Sequence, residues 1–190
     1  MSTLAPDAAS KPKRRFHLDL KTAGPLIALA LLIVLGISLN ENFLSYNNLT
    51  NVLARTSFIG IIAIGATFVI TSGGLDLSVG SMAAVIAGVM IIVMNALIPS
   101  MGISWGVVLI GMAAGIAAGA VAGFGNGIMI TRGRIEAFIV TLGTMGIFRS
   151  LVTFLADGGT LSLNFQVADV YRPVYYDGLL GVPYPIIVFA

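Results

Sequence analysis

The sequence predicts an all-α integral membrane protein, a polytopic helical bundle with about five complete transmembrane helices and the start of a sixth. Three observations predict it. The 190 residues are 57% hydrophobic and 9% charged, against about a quarter charged in soluble domains, and the mean hydropathy is +1.01. The apolar residues fall in long unbroken runs, as spans must in a solvent that cannot hydrogen-bond the backbone. Charge is nearly absent from the middle of the chain, where Asp76 is the single charged side chain between Arg55 and Arg132.

The elements follow in order. Lys11, Lys13, Arg14, Arg15 and Lys21 precede GPLIALALLIVLGISL, a layout that superficially matches a signal peptide. The polar lead is long, however, and no small-x-small cleavage site follows. Residues 1–23 therefore read as a cytoplasmic basic tail and Gly24–Leu39 as an uncleaved first span. Further apolar runs are Ser57–Ile70, Met82–Pro99, Ile103–Ile130 and Ala137–Ala156. A span needs about 20 residues. Ser57–Ile70 is too short alone, so it is expected to extend into the glycine stretch after it or to stop part-way. The final run, PIIVFA, ends at Ala190 and reads as the start of a sixth helix.

Basic residues orient the spans. With the tail inside, segments 71–81 and 131–136 fall on the cytoplasmic side, and 40–56, 100–102 and 157–184 fall outside. Arg132 and Arg134 then lie inside, while Glu41, Asp157, Asp169 and Asp177 lie outside; Arg55 and Arg172 are exceptions. The outer segment 157–184 carries Tyr171, Tyr175, Tyr176 and Tyr184. It reads as an interfacial loop with aromatic anchors, or as a docking surface for an extracytoplasmic partner.

Composition also excludes functions. With no cysteine, disulfides, thiol catalysis and thiolate metal sites are out, and the single histidine, His17, lies in the tail. The spans hold one acid, so an intramembrane enzyme lacks the nucleophile–base pair or second carboxylate it would need. No phosphate-binding glycine loop or GK[ST] motif is present. The net charge of +2 is no nucleic-acid footprint, because half the basic residues cluster before the first span. No cofactor is expected.

Two stretches carry information beyond hydropathy. In GMAAGIAAGAVAGFGNG, glycines recur at Gly111, Gly115, Gly119, Gly123 and Gly127. On a helix they form one face without side chains, which lets a second helix approach closely where lipid gives no hydrophobic drive for association. In VITSGGLDLSVGS, Gly73 and Gly74 permit left-handed backbone, and Asp76 or Ser78 is placed to cap the next helix. One reading is a tight turn with Asp76 as its cap. The other is a pathway or gating element, because broken backbone at membrane depth is tolerated when it lines a cavity and intramembrane acids are often functional. The two coexist. Uncharged polar side chains in or beside the spans that could line a polar route are Thr67, Thr71, Ser72, Ser78, Asn95, Asn126 and Thr141. Arg149 is expected to snorkel or to pair with Asp157.

ITSGGLDLSVGS resembles the signature of the ribose/galactose-type ABC sugar-transporter permeases. The stretch GFGNGIMITRGRIEAFIVTLGTMGIFRSL, 123–151, is similar to that family's second conserved run. The positions that fit are Gly73, Gly74, Asp76, Leu77, Ser78, Gly80, Asn126, Gly127, Phe138, Thr141, Leu142, Gly143 and Thr144. The resemblance covers the chain from about residue 25 and makes 24–190 a transmembrane permease domain, incomplete at its C-terminus, half of a larger importer permease fold. It implies a monosaccharide importer of the bacterial inner membrane, with the N-terminus cytoplasmic. Its implied partners are cytoplasmic ATP-binding subunits, a periplasmic sugar-binding protein, a second permease copy or sister permease, and membrane lipid. Two departures stand out: Glu136–Ala137 replaces a frequent proline, and the family's coupling loop follows a sixth span that this chain does not complete. The rival transport readings are a branched-chain amino-acid-type ABC permease and an ion- or proton-coupled carrier using Asp76.

Overall fold

The computed structural model describes residues 20–176, 178–179 and 182–190. The basic tail expected over 1–23, His17 included, lies outside the described residues as far as position 19, and so does Asp177. The chain forms two compact units, Met1–Leu49 and Thr50–Ala190.

The first unit contains α1 (Leu20–Leu39), with Pro25 near its start. The helix is followed by a turn in which the Asn40 amide donates to the Gly36 carbonyl at 3.1 Å. The Phe43 ring folds back over Gly36, where a β-carbon would collide with it. Ser45 then starts the next helix. Its hydroxyl accepts the Asn48 N–H at 3.3 Å, and the Asn48 amide donates to the Phe43 carbonyl at 2.7 Å.

That helix, α2 (Tyr46–Thr71), corrects the sequence reading. It has 26 residues, about 39 Å of rise at 1.5 Å per residue, enough for the ~30 Å hydrocarbon core. The extra length comes from the N-terminal side, through Asn47, Asn48, Asn51 and Arg55, and not from the glycine stretch. A cap at Ser45 outweighs the poor helix propensity of three asparagines. Glycine ends the helix: Gly73 takes a left-handed φ of 82°, and the Gly73 and Gly74 amides bond back to Ile70 and Val69, both at 3.0 Å.

The second unit continues with α3 (Val79–Met101), α4 (Trp105–Thr131) and α5 (Ala137–Leu155). With α2 these are four helices long and apolar enough to cross a membrane; the apolar part of α1, Ala23–Leu39, is a shorter fifth among the described residues. The fold is therefore an all-α polytopic membrane protein. Helix α3 packs against both α4 and α5. The contact with α4 is set by glycine. A methyl group at Gly111 would strike Met94; at Gly115 it would meet Met90 Cγ at 2.5 Å, and at Gly119 Ile86 Cδ1 at 2.9 Å. Ascending positions on α4 thus meet descending positions on α3, so the pair is antiparallel. Gly123 and Gly127 have nothing within 4 Å of a built β-carbon; the close approach covers three of the five glycines.

The described residues of 157–184 form helix and strand as well as loop. Left-handed Asp157 and Gly158 (φ 48° and 75°) end α5. The chain then forms α6 (Phe165–Tyr176), a two-residue antiparallel hairpin β1 (Gly178–Leu179) with β2 (Val182–Pro183), and α7 (Tyr184–Phe189). Val167 of α6 is fully buried against Met94 of α3 and Val107 and Val108 of α4. Tyr175 stacks on Phe58 of α2 at 5.7 Å between ring centroids, so this tyrosine also packs against a span.

Asn95 of α3 explains how the strand of chain before α6 is held. Its amide donates to the Ser162 carbonyl at 2.9 Å and its oxygen accepts the Asn164 N–H at 3.0 Å. Both halves of the amide are used across nearly 70 residues of sequence. At about 1 kcal/mol for each such bond, Asn95→Leu is expected to speed limited proteolysis within 158–164 by roughly tenfold in membranes. Unchanged cleavage would mean that Val167 packing alone fixes this segment.

Candidate functional site

The sequence candidates Asp76, Ser78, Asn126 and Thr141 converge on one junction where three helix ends meet. Ser78 stands immediately before α3, Asn126 lies in the last turns of α4 and Thr141 in the first turns of α5. Antiparallel packing of α3 on α4 brings the first two together, although 48 residues separate them.

Asp76 does not cap α3 in the expected way. No side chain accepts an N–H from the first turn of that helix, and Ser78 at the cap position has helical backbone angles. Instead Asp76 Oδ1 accepts the Ser78 backbone N–H at 2.7 Å and the Ser78 hydroxyl at 2.6 Å. The first of these is an Asx turn, in which the carboxylate mimics a backbone carbonyl one turn early. The acid thus holds the turn that precedes the helix, and the helix start follows from it.

The serine hydroxyl passes the order on. Its proton is committed to Asp76, so its oxygen accepts, and the Asn126 side-chain amide donates to it at 3.0 Å. This fixes which way the Asn126 amide faces, a choice that geometry alone does not distinguish. Ser78 is wholly buried and Asn126 is 5% exposed. The remaining Asn126 oxygen is buried with no partner among the described residues. An orphaned acceptor of this kind costs about 1–3 kcal/mol.

A second bond closes the junction. The Thr141 hydroxyl lies 3.1 Å from the Leu75 carbonyl and 2.8 Å from the Ala137 carbonyl of its own helix. It ties α5 to the turn that Asp76 shapes. Gly74 sits against α5 as well: its added β-carbon would be 3.7 Å from Ala137 Cβ and 3.3 Å from Val69 Cγ1. Gly73 supplies the left-handed step before it. The Leu75 carbonyl is the one participant that sequence reading could not name, because a backbone acceptor leaves no signal in a side-chain pattern.

The other route candidates lie elsewhere. Thr67, Thr71 and Ser72 bond to carbonyls of their own helix, at Ala63, Thr67 and Val69, as hydroxyls in spans commonly do. Asn95 holds the chain before α6. Arg149 and Asp157 form no ion pair; among the described residues the one ion pair is Arg172–Asp169 at 3.8 Å, with both side chains about two-thirds exposed, and so of little energetic weight.

The comparisons with known proteins bear on this junction. A model of the family described as branched-chain amino acid transport system / permease component matches residues 48–175. Ribose import permease protein RbsC of Escherichia coli K12 is 37% identical over 166 residues, 85% of this chain and 48% of that protein. The Bacillus subtilis protein of the same name is 35% identical over 180 residues, 92% of this chain and 52% of that protein. The L-arabinose ABC transporter permease protein AraH of Azospirillum brasilense is 30% identical over 189 residues, 96% and 51% respectively. No solved structure matches. The chain spans about half the length of the curated relatives it matches. The family match runs from the first turn of α2 to the last turn of α6 and takes in every side chain of the junction: the chain belongs to this family of ABC importer permease components, together with permeases of sugar import.

Proposed function

We propose that the chain is the membrane subunit, or half of one, of an ATP-binding-cassette importer that carries a monosaccharide across a bacterial inner membrane. The observation that carries this reading is the 37% identity to a ribose import permease over 166 residues. The two stretches that resemble the permease family, 70–81 and 123–151, are also the two that the Ser78–Asn126 and Leu75–Thr141 bonds join. In this reading ATP is hydrolysed by separate cytoplasmic subunits. A periplasmic sugar-binding protein delivers the cargo, and a second permease copy or sister permease completes the channel. The N-terminal tail lies in the cytoplasm, which puts the Asp76 junction at the cytoplasmic end and α6 at the periplasmic end.

Within this arrangement the junction acts through geometry. Its polar groups bond mainly to one another, so it sets how three helix ends move together when the route opens. The glycine face of α4 makes α3 and α4 a rigid pair that moves as one body.

Uptake of labelled ribose, arabinose and leucine, measured in cells with and without the gene at its native locus, tests the reading. Loss of pentose uptake by tenfold or more with leucine uptake unchanged is the expected result. Loss of leucine uptake, or no change in either pentose, would overturn it.

A further inference from the structure

The Asn126 carbonyl and the start of α3 are a complementary pair that this conformation leaves apart. Asn126 is 5% exposed, and its Oδ1 is buried without a partner among the described residues. The atom is enclosed by the chain's own packing, so its state is a property of the junction and not of an exposed face. Beside it the first turn of α3 lacks an acceptor. The N–H groups at a helix start have no carbonyl of their own helix to reach. Among the described residues no side chain or carbonyl accepts from Val79, Gly80 or Ser81. The usual acceptor is the side chain at the cap position, which is Ser78. That residue has helical backbone angles, φ −84° and ψ −11°, and its hydroxyl is bonded to Asp76 and Asn126 instead.

A buried polar atom without a partner is rare, and here an orphaned acceptor lies next to orphaned donors. Asparagine is among the best acceptors at a helix start, and the Asn126 amide already reaches the cap residue at 3.0 Å. Turning the amide about its last side-chain bond exchanges its two halves: the N–H leaves Ser78 and the carbonyl comes to face the α3 backbone. Packing leaves room for the turn. The tight α3–α4 contact runs over Gly111, Gly115 and Gly119, whereas Gly123 and Gly127, which flank Asn126, have nothing within 4 Å of a built β-carbon. The amide therefore turns without breaking the glycine contact.

We propose that Asn126 is a two-position latch between α3 and α4. In the position of this structure its amide donates to the Ser78 hydroxyl. In the second its carbonyl accepts a first-turn N–H of α3, from Gly80 or Ser81, and caps that helix from the neighbouring one. Each position leaves one half of the amide unpaired, so small displacements of the helix ends decide between them. The part of the latch in transport rests on the import reading above, in which the junction changes position as the route opens.

Hydrogen exchange of residues 79–81, followed by mass spectrometry on the full chain in lipid nanodiscs, reads the cap directly. Ser78→Ala removes the partner that holds the first position. The expected result is a folded protein whose exchange at 79–81 is slowed at least threefold, with the slowing abolished by adding Asn126→Leu. Unchanged or faster exchange in Ser78→Ala, or failure of that variant to fold, means that the Ser78 bond is the whole role of Asn126, and the proposal fails. Slowing that persists in the double variant assigns the cap to another acceptor, such as Asp76, and the proposal fails equally. Asn126→Leu alone should cut the initial rate of ribose uptake at least fivefold with the melting temperature unchanged or higher, because it removes the buried orphan together with the latch. A melting temperature that falls along with uptake would make Asn126 a structural residue only, and intact uptake would remove the latch from transport. Ribose uptake by the unsubstituted chain separates the two levels: slowed exchange without uptake keeps the latch and removes the import reading, whereas uptake without slowed exchange does the reverse.

Discussion

Gly115→Leu is expected to unfold or aggregate the protein in mild detergent, with loss of the monodisperse peak in size-exclusion chromatography. The reason lies in the α3–α4 contact. A β-carbon at Gly115 would already stand 2.5 Å from Met90 Cγ and 2.7 Å from its sulfur, well inside van der Waals contact for a carbon atom. These atoms lie near the middle of the methionine side chain, so swinging its tip aside does not clear them. Overpacking a formed core costs about 1–3 kcal/mol for added methylenes, and a leucine adds a whole side chain at the tightest point. Because apolar lipid supplies no drive for helix association, the pair has little with which to offset that cost. Gly123→Ala is the matched control. Nothing lies within 4 Å of its built β-carbon, and alanine has the better helix propensity by about 1 kcal/mol. Its melting temperature should stay the same or rise. If Gly115→Leu behaved like Gly123→Ala, the close approach of α3 and α4 would not be a determinant of stability.

The second large effect is expected at Asp76, where alanine and asparagine should separate. Asp76→Ala removes the acceptor of two short bonds and frees the Ser78 hydroxyl, which then no longer has to accept from Asn126. The turn, the start of α3 and the α3–α4 bridge lose their common fix. With about 1–3 kcal/mol for each buried group left unpaired, sugar uptake should fall tenfold or more and stability should drop. Asp76→Asn keeps an acceptor oxygen in the same place and should retain at least a third of uptake. Uptake by Asp76→Asn as low as by Asp76→Ala would show that the negative charge itself is required. That outcome would return Asp76 to the role of a titrating group in an ion-coupled carrier. Measuring initial uptake rates alongside expression and melting temperature keeps a folding defect apart from a transport defect.

Much of this architecture is legible in composition and spacing. The membrane class follows from the scarcity of charge, since no soluble surface can be built from 9% charged residues. Spans α3, α4 and α5 follow from apolar runs whose lengths match the bilayer. The boundary of α2 was hidden because hydropathy counts side chains, whereas a helix is held by its backbone. Three asparagines and an arginine look like a loop, yet the amides from Tyr46 onward bond as well as those of an apolar turn once Ser45 caps them. The helix α6 was hidden for the opposite reason. Its burial rests on Val167 and the partly buried Val170, set among polar and aromatic neighbours, and so short an apolar face leaves little periodic signal.

What the sequence determined by itself is the solvent this protein lives in, the number and order of its main spans, and the residues that resemble permeases of sugar import. Those are properties of runs and motifs, which depend on the local chain alone. Tertiary structure decided which of these residues act together. Of five glycines in register only Gly111, Gly115 and Gly119 meet α3, because crossing helices stay in touch for only a few turns. Asp76 serves the turn before α3 and not the helix itself. Its reach to Asn126, 50 residues away, exists because two antiparallel helices end at the same level.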